Sequence, residues 1–245
     1  MNISLAAEPL FHIGTFPVTN TLIMAWVIVL FLSLFAFFVS RKYSEKPRGA
    51  QNVLEMVVEK LLDFMADVLG SRAQAIKIFP LVATIFIFIA FSNWIEIVPG
   101  LGTIGLFEAH EGRTVLIPFI RSSSADLNFT IALAVITVLS IQIIGIMSIG
   151  FFKYIGKFIN FHGPINFFVG ILELIGEISK IVSLSFRLFG NIFAGEVLLT
   201  VVLFLVPYIV PLPFLGLEIF VGFVQALVFS MLTLVFLKIA TAEHH

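Results

Sequence analysis

Six ionisable side chains, Glu173, Glu177, Lys180, Arg187, Glu196 and Glu218, lie in the last two apolar segments of this 245-residue chain. Asn191 and Gln225 accompany them as uncharged polar groups. An ionisable group at membrane depth costs about 2.5–3.5 kcal/mol even on the lenient insertion scale, so each of these needs a task. Arg187 cannot release its proton inside a protein and is therefore a permanent charge, not a relay. Buried glutamates can exchange protons near neutral pH, and paired ones suit a proton path.

Helical geometry sorts these groups. At about 100° per residue, Glu173, Lys180, Ser183, Arg187, Asn191 and Ala194 fall within roughly 40° of one meridian. Gly190 and Ala194 are small, so this face presents one fixed cation to a closely approaching helix. No acid stands three or four residues from Arg187 to neutralise it. Glu196 lies about 180° around the helix from Arg187, in a different environment. If the segment Pro207–Pro213 joins two antiparallel helices, Glu196 falls opposite a residue near 223, between Glu218 and Gln225. Those three side chains then form a polar cluster apart from the Arg187 face.

Simpler readings stand beside these. Lys180 with Glu173 or Glu177 is also an ordinary helix ion pair. Glu173 and Glu177 could be solvated at an interface. Glu196 and Glu218 could be a hydrogen-bonded pair that only holds the hairpin together. The histidines match no metal-site spacing: His12, His110 and His162 fall in loops or ends, His244 and His245 in the tail. No Gly-rich phosphate loop or nucleophile elbow occurs, and neither a cofactor nor a metal is expected.

The elements that must position these groups are apolar helices. Hydrophobic residues make up 60% of the chain and charged ones 12%, about half the charge of a soluble domain. Mean hydropathy is +1.12. Spans are expected at about 21–39, 78–98, 125–152, 165–206 and 214–238, each long enough to cross a ~30 Å hydrocarbon core. Pro80 falls near the start of the second and Trp94 near its end, where interfacial aromatics are favoured. Residues 51–70 differ: Val53, Met56, Val57, Leu61, Phe64 and Val68 recur at helical spacing, while Glu55, Glu59, Asp63 and Asp67 repeat every four. That pattern predicts an amphipathic helix at the membrane surface. Residues 99–124 read as a Gly-rich polar loop. The run 165–206 would be about 63 Å long as one helix, so it is either two spans broken near Gly190 or one steeply tilted crossing. The chain reads as an all-α, polytopic membrane protein of one domain, 1–245.

Basic residues set the orientation. Arg41, Lys42, Lys46, Arg48, Lys60, Arg72 and Lys77 cluster in 40–77, with Lys153 and Lys157 in the next loop on that side, whereas 99–124 holds only Arg113 and Arg121. Positive residues mark the cytoplasmic side, so the N-terminus is expected outside and the C-terminus inside, which favours the single tilted crossing. A net charge of −1 suggests no nucleic-acid partner, and the absence of Cys excludes disulfides and thiolate sites. The N-terminal residues lack a basic stretch leading into an apolar one, so no cleaved signal peptide is expected.

The stretch Ser183-Leu-Ser-Phe-Arg-Leu-Phe-Gly-Asn-Ile-Phe-Ala-Gly-Glu196 resembles the signature of the subunit a family of F-type ATP synthases. Gln225-Ala-Leu in the last helix and Ser124-Ala-Asp-Leu-Asn128 at the start of the third span resemble further elements of that family, in order, from about residue 75 onward. The resemblance implies a non-catalytic subunit of a bacterial inner-membrane complex, beside a rotating ring of c subunits whose carboxyl groups carry protons. It implies b-type peripheral stalk subunits as further partners, and nucleotide chemistry in a separate catalytic head. Arg187 would face the ring. Glu196, Glu218, Asn191 and Gln225, with Asp126 and Asn128, would line a half-channel from the outside, and Glu173 and Glu177 one to the cytoplasm. The competing expectations are a transporter whose intramembrane Arg binds an anionic substrate, and a purely structural membrane anchor.

Overall fold

A computed structural model describes residues 7–41, 49–95, 97–98, 105–110, 113–118, 121–158 and 164–241. Among the described residues seven α-helices are formed: α1 (Asn20–Arg41), α2 (Ala50–Leu69), α3 (Arg72–Ile95), α4 (Leu127–Ile149), α5 (Phe151–Phe158), α6 (Pro164–Leu205) and α7 (Pro211–Thr241). Five of them, all but α2 and α5, are long and apolar enough to cross a membrane. The chain is a polytopic, mainly helical membrane protein, as its composition requires. Lys42, Lys46, Arg48, Glu111, His162, Gly163, His244 and His245 lie outside the described residues.

The buried centre joins α3, α4, α6 and α7 through Ile85, Ile89, Ala134, Val138, Leu184, Leu188, Ala226 and Phe229. A second cluster ties α2 to α3, α4 and α7 through Met65, Leu69, Ile78, Ile141, Leu234 and Leu237. Small residues permit close backbone approach, the usual means of helix association without a hydrophobic drive. At Gly222 an added Cβ would stand 3.0 Å from that of Asn93, whose amide donates to the Gly222 carbonyl at 3.0 Å. Trp94 donates its indole N–H to the Ile219 carbonyl at 3.0 Å on the same seam.

Several boundaries differ from the expected ones, each for a local reason. The 165–206 run is a single uninterrupted helix of 42 residues, with no break at Gly190. Such a helix cannot turn back, so it passes between the two ends of the bundle once. The third span ends at Ile149, not Phe152, because Gly150 adopts a φ of 95° and redirects the chain into the short helix α5. The last helix begins at Pro211, so Pro211 and Pro213 belong to its first turn rather than to a rigid break; there a missing N–H loses no helical bond. α3 starts six residues before the expected 78, which leaves Pro80 inside it.

Two segments read as loop or left unassigned are short hairpins. Residues Pro9–Ile13 pair with Phe16–Thr19, and Gly105–His110 with Arg113–Pro118, both antiparallel. A 3-10 turn at Ser123–Ala125 follows the second hairpin. For α2 the amphipathic pattern holds but its buried stripe is rotated. Met65 and Leu69 are buried against the bundle, while Met56, Val57 and Phe64 are about half exposed. The helix docks on its neighbours by one edge of its apolar face and leaves the rest outward.

Asn93 and Gly222 generate the first prediction. Gly222→Leu forces α3 and α7 apart and should lower stability by about 1–3 kcal/mol, the range for overpacking. Asn93→Ala removes one interhelical hydrogen bond and should cost only about 0.6 kcal/mol. Thermal unfolding of the purified subunit in detergent checks the order; an Asn93 effect larger than that of Gly222 would contradict close approach as the main constraint.

Candidate functional site

Three groups of polar side chains are distributed along α6. The first lies near the α6–α7 turn. Arg121, only 7% exposed in its side chain, donates from Nη2 to Glu196 Oε2 at 3.1 Å. Glu218, on α7, is buried, and its Oε1 would stand 3.0 Å from a Cβ added at Gly195. Gly195 is thus the gap into which the Glu218 carboxyl fits. Glu218 and not a residue near 223 is therefore the neighbour of this part of α6. Among the described residues no hydrogen bond joins Glu196, Glu218 and Gln225 to one another; Gln225 is half-buried nearby in sequence on α7.

The segment carrying Arg121 is fastened on two sides. Ser122 donates to the Ser92 carbonyl of α3 at 3.1 Å, and Ser123 donates to the Thr21 carbonyl of α1 at 3.1 Å. Asp126 accepts from the Thr21 hydroxyl at 2.9 Å and caps α4 by accepting from the Asn128 N–H at 2.9 Å. Asn20 reaches the Pro118 carbonyl at 3.2 Å. Asp126 is thus a buried cap and cross-link, and Asn128, at the first turn of α4, is exposed.

The second group lies at the opposite end of the bundle, where α5 folds against α6. Lys157 meets Glu173 at 3.5 Å and Lys180 meets Glu177 at 2.6 Å. The Lys180 ammonium also sits 5.0 Å from the centre of the Phe236 ring. Tyr154 donates its hydroxyl to Gln142 Oε1. Burial, with Glu177 and Glu173 adding repulsion, pushes the Tyr154 phenol up to about 12, so it remains a donor at all ordinary pH. Gly170 is required here, since a methyl group would overlap the Phe158 carbonyl.

Arg187 belongs to neither group. It is exposed, its guanidinium 3.3 Å from the Ser183 hydroxyl, and among the described residues it forms no ion pair. Asn191 bonds back to the Arg187 carbonyl at 2.9 Å. Ser183, Phe186, Gly190, Asn191 and Ala194 are exposed beside it. The two expected faces of α6 are therefore distinct: Leu184, Leu188 and Ile192 are buried in the bundle, and the arginine looks away from it.

Several buried carboxylate oxygens are unmatched. Glu173 Oε2, Glu177 Oε2 and Glu218 Oε2 have no hydrogen-bond partner among the described residues. Each is an open acceptor in a low-dielectric setting, as are the buried oxygens Ser92 Oγ, Asn93 Oδ1 and Ser124 Oγ. Sequence reading missed Arg121 as a site residue and counted it only as a loop charge. The available signal was a lone arginine directly ahead of three serines and the cap Asp126. Tyr154 and Gln142 carried no signal, because nothing in sequence links α4, α5 and α6 at that end.

Comparison with known proteins covers nearly the whole chain. The sequence model of the family described as ATP synthase A chain matches residues 22–238. ATP synthase subunit a of Moorella thermoacetica is 34% identical over 228 residues, covering 93% of each chain. That of Campylobacter jejuni (strain 81-176) is 38% identical over 234 residues, covering 94% of this chain and 88% of the relative. That of Helicobacter pylori (strain P12) is 38% identical over 229 residues, covering 91% and 89%.

The Tyr154 environment gives a prediction. Spectrophotometric titration should show one phenol ionising late, near pH 12. Tyr154→Phe should remove that late phase, whereas Tyr208→Phe should leave it. If the late phase survives in Tyr154→Phe, the packing of α5 on α6 is not as described.

Proposed function

This chain belongs to the ATP synthase subunit a family, the proton-translocating part of the membrane sector, and from that premise we propose how its side chains divide the work. Arg187 is the stator charge that faces the carboxyl groups of a c-subunit ring. Glu196 and Glu218, with Asn191, Gln225, Asp126 and Asn128, line a half-channel from the outside. Glu173 and Glu177 line the half-channel to the cytoplasm. The chain is one integral membrane domain of a bacterial inner membrane. It is not catalytic itself and is held by b-type stalk subunits against the rotor, while nucleotide chemistry occurs in the catalytic head.

The observation that carries this reading is the exposure of Arg187. A guanidinium facing lipid would cost about 2.5–3.5 kcal/mol or more, so the face of α6 around it needs a covering partner that supplies negative charge. Small neighbours at Gly190 and Ala194 let such a partner come close. A protonated carboxyl group crosses lipid far more easily than an ionised one. A ring carboxyl would therefore lose its proton only beside Arg187, and the fixed cation would keep entering and leaving protons apart. Each charge that crosses gains ~2.3 kcal/mol per 100 mV, and rotation couples that gain to the head.

On this reading Arg187→Ala leaves assembly largely intact yet abolishes ATP-driven pumping and proton-driven synthesis, while passive leak can persist. Arg187→Lys also loses most coupled activity, because an ammonium is a more strongly hydrated point charge and presents no planar fork to a carboxylate. The measurement is proton uptake by vesicles rebuilt with the whole complex, with and without ATP. Near-normal pumping by the Ala variant would remove Arg187 from the mechanism.

Orientation has its own test. The turn 206–210 should face outside and the end of α7 the cytoplasm. Because the chain has no cysteine, Tyr208→Cys and Thr241→Cys give single labels against a clean background. An impermeant thiol reagent on intact cells should modify the first and spare the second; the reverse pattern would invert the topology.

A further inference from the structure

We propose that Arg121 is a positioning residue of the outer half-channel, holding the Glu196 carboxylate where protons enter. The proposal rests on the outer-path reading of Glu196 given above, which assigns no task to Arg121.

The geometry is specific. Arg121 and Glu196 are 75 residues apart, yet their side chains meet at 3.1 Å with 7% and 22% exposure. Their surroundings hold the cation still. Ser122 and Ser123, the next two residues, are bonded to the Ser92 and Thr21 carbonyls of α3 and α1, and Asp126 to the Thr21 hydroxyl. The guanidinium thus projects from a braced segment onto α6.

A buried ion pair is weak evidence for stability, since desolvation of both charges offsets their attraction. Its placement on one of the few carboxylates inside the bundle therefore points to orientation of that group. Arginine suits the task because it never gives up its own proton and so does not compete for the one that Glu196 passes on. It engages Oε2 of Glu196. The other charged groups acting on Glu196 are Glu218, against Gly195, and Glu8, ahead of the first hairpin. Arg187 is nine residues away, about 13 Å along the helix and on its other face. The two cations accordingly serve different carboxyl groups: Arg187 those of a partner, Arg121 one of this chain.

The test is a double-mutant cycle on the whole complex in vesicles, reading passive and ATP-driven proton flux. Arg121→Gln and Glu196→Gln should each lower flux about tenfold, within the range for coupled contacts, and the double variant should fall no lower than Glu196→Gln alone. Arg121→Lys should recover part of the flux when Glu196 is present and none when it is Gln. Multiplying losses in the double variant would show that Arg121 only braces its loop, and would overturn the proposal. Arg121→Gln strands a carboxylate in the bundle, and the single variant could fail to assemble. The double variant then decides: assembly with the flux of Glu196→Gln supports the coupling, and failure to assemble overturns it. Normal flux in Glu196→Gln is a separate outcome, which removes Glu196 from the outer path itself.

Discussion

The arrangement of this molecule depends on the cost of leaving a charge unmatched in a low-dielectric setting. In the bundle, three acids are accordingly paired with cations. Glu196 has Arg121, Glu173 has Lys157 and Glu177 has Lys180. Glu218 is tucked against the bare backbone of Gly195. Arg187 is the departure, charged at every pH and turned away from the bundle. On the proposed reading, this outward charge in the middle of α6 is the one that a neighbouring subunit must match.

The unbroken helix α6 makes that contrast possible. Its 42 residues contain glycines but no proline after the first position, so nothing interrupts the backbone ladder. One rigid rod thereby carries three environments at different heights. Glu173 and Glu177 lie under α5 at one end, Glu196 meets the braced Arg121 segment toward the other, and Arg187 sits between them in height, on the face opposite Glu196. α4 and α7 bury the apolar stripe of Leu184, Leu188 and Ile192, which fixes the rotation of the rod and hence the direction in which the arginine points.

How much of this was legible in the sequence follows from the range of each interaction. Hydropathy and helical period are local, so five long apolar helices and the two-faced character of α6 could be read directly. The outward Arg187 and its small neighbours followed from angular position alone. Pairings between distant segments could not be read in the same way. Placing Glu196 opposite residue 223 assumed helices running side by side from a midpoint in the Pro207–Pro213 segment. The early start of α7 at Pro211 and the seat for Glu218 at Gly195 shift the register. Arg121 was invisible as a partner because its position depends on serine bonds to two other helices. The hairpins were missed because strands of four to six residues with few β-branched side chains, such as Gly105–His110, carry little alternation and read as loop between stronger helical signals.

The spacing of charges along α6 also bears on why a second, moving component is needed. Glu177 and Glu196 are 19 residues apart, about 28 Å along the axis, close to the ~30 Å of a hydrocarbon core. Arg187 stands ten residues from one and nine from the other. Between those acids α6 carries no carboxylate or histidine: its buried side is Leu184, Leu188 and Ile192 with Ser185, whose hydroxyl is bonded to the Ile181 carbonyl, and its outward side holds a fixed positive charge. No carboxyl group or imidazole therefore stands along this helix to take up a proton between one acid and the other. On the proposed reading it must leave the chain near one acid, travel on a carrier that is neutral in lipid, and return near the other. The arginine midway then acts on the carrier alone: it favours the ionised form at one place, and so converts two dead-end paths into a route that opens only when the carrier moves.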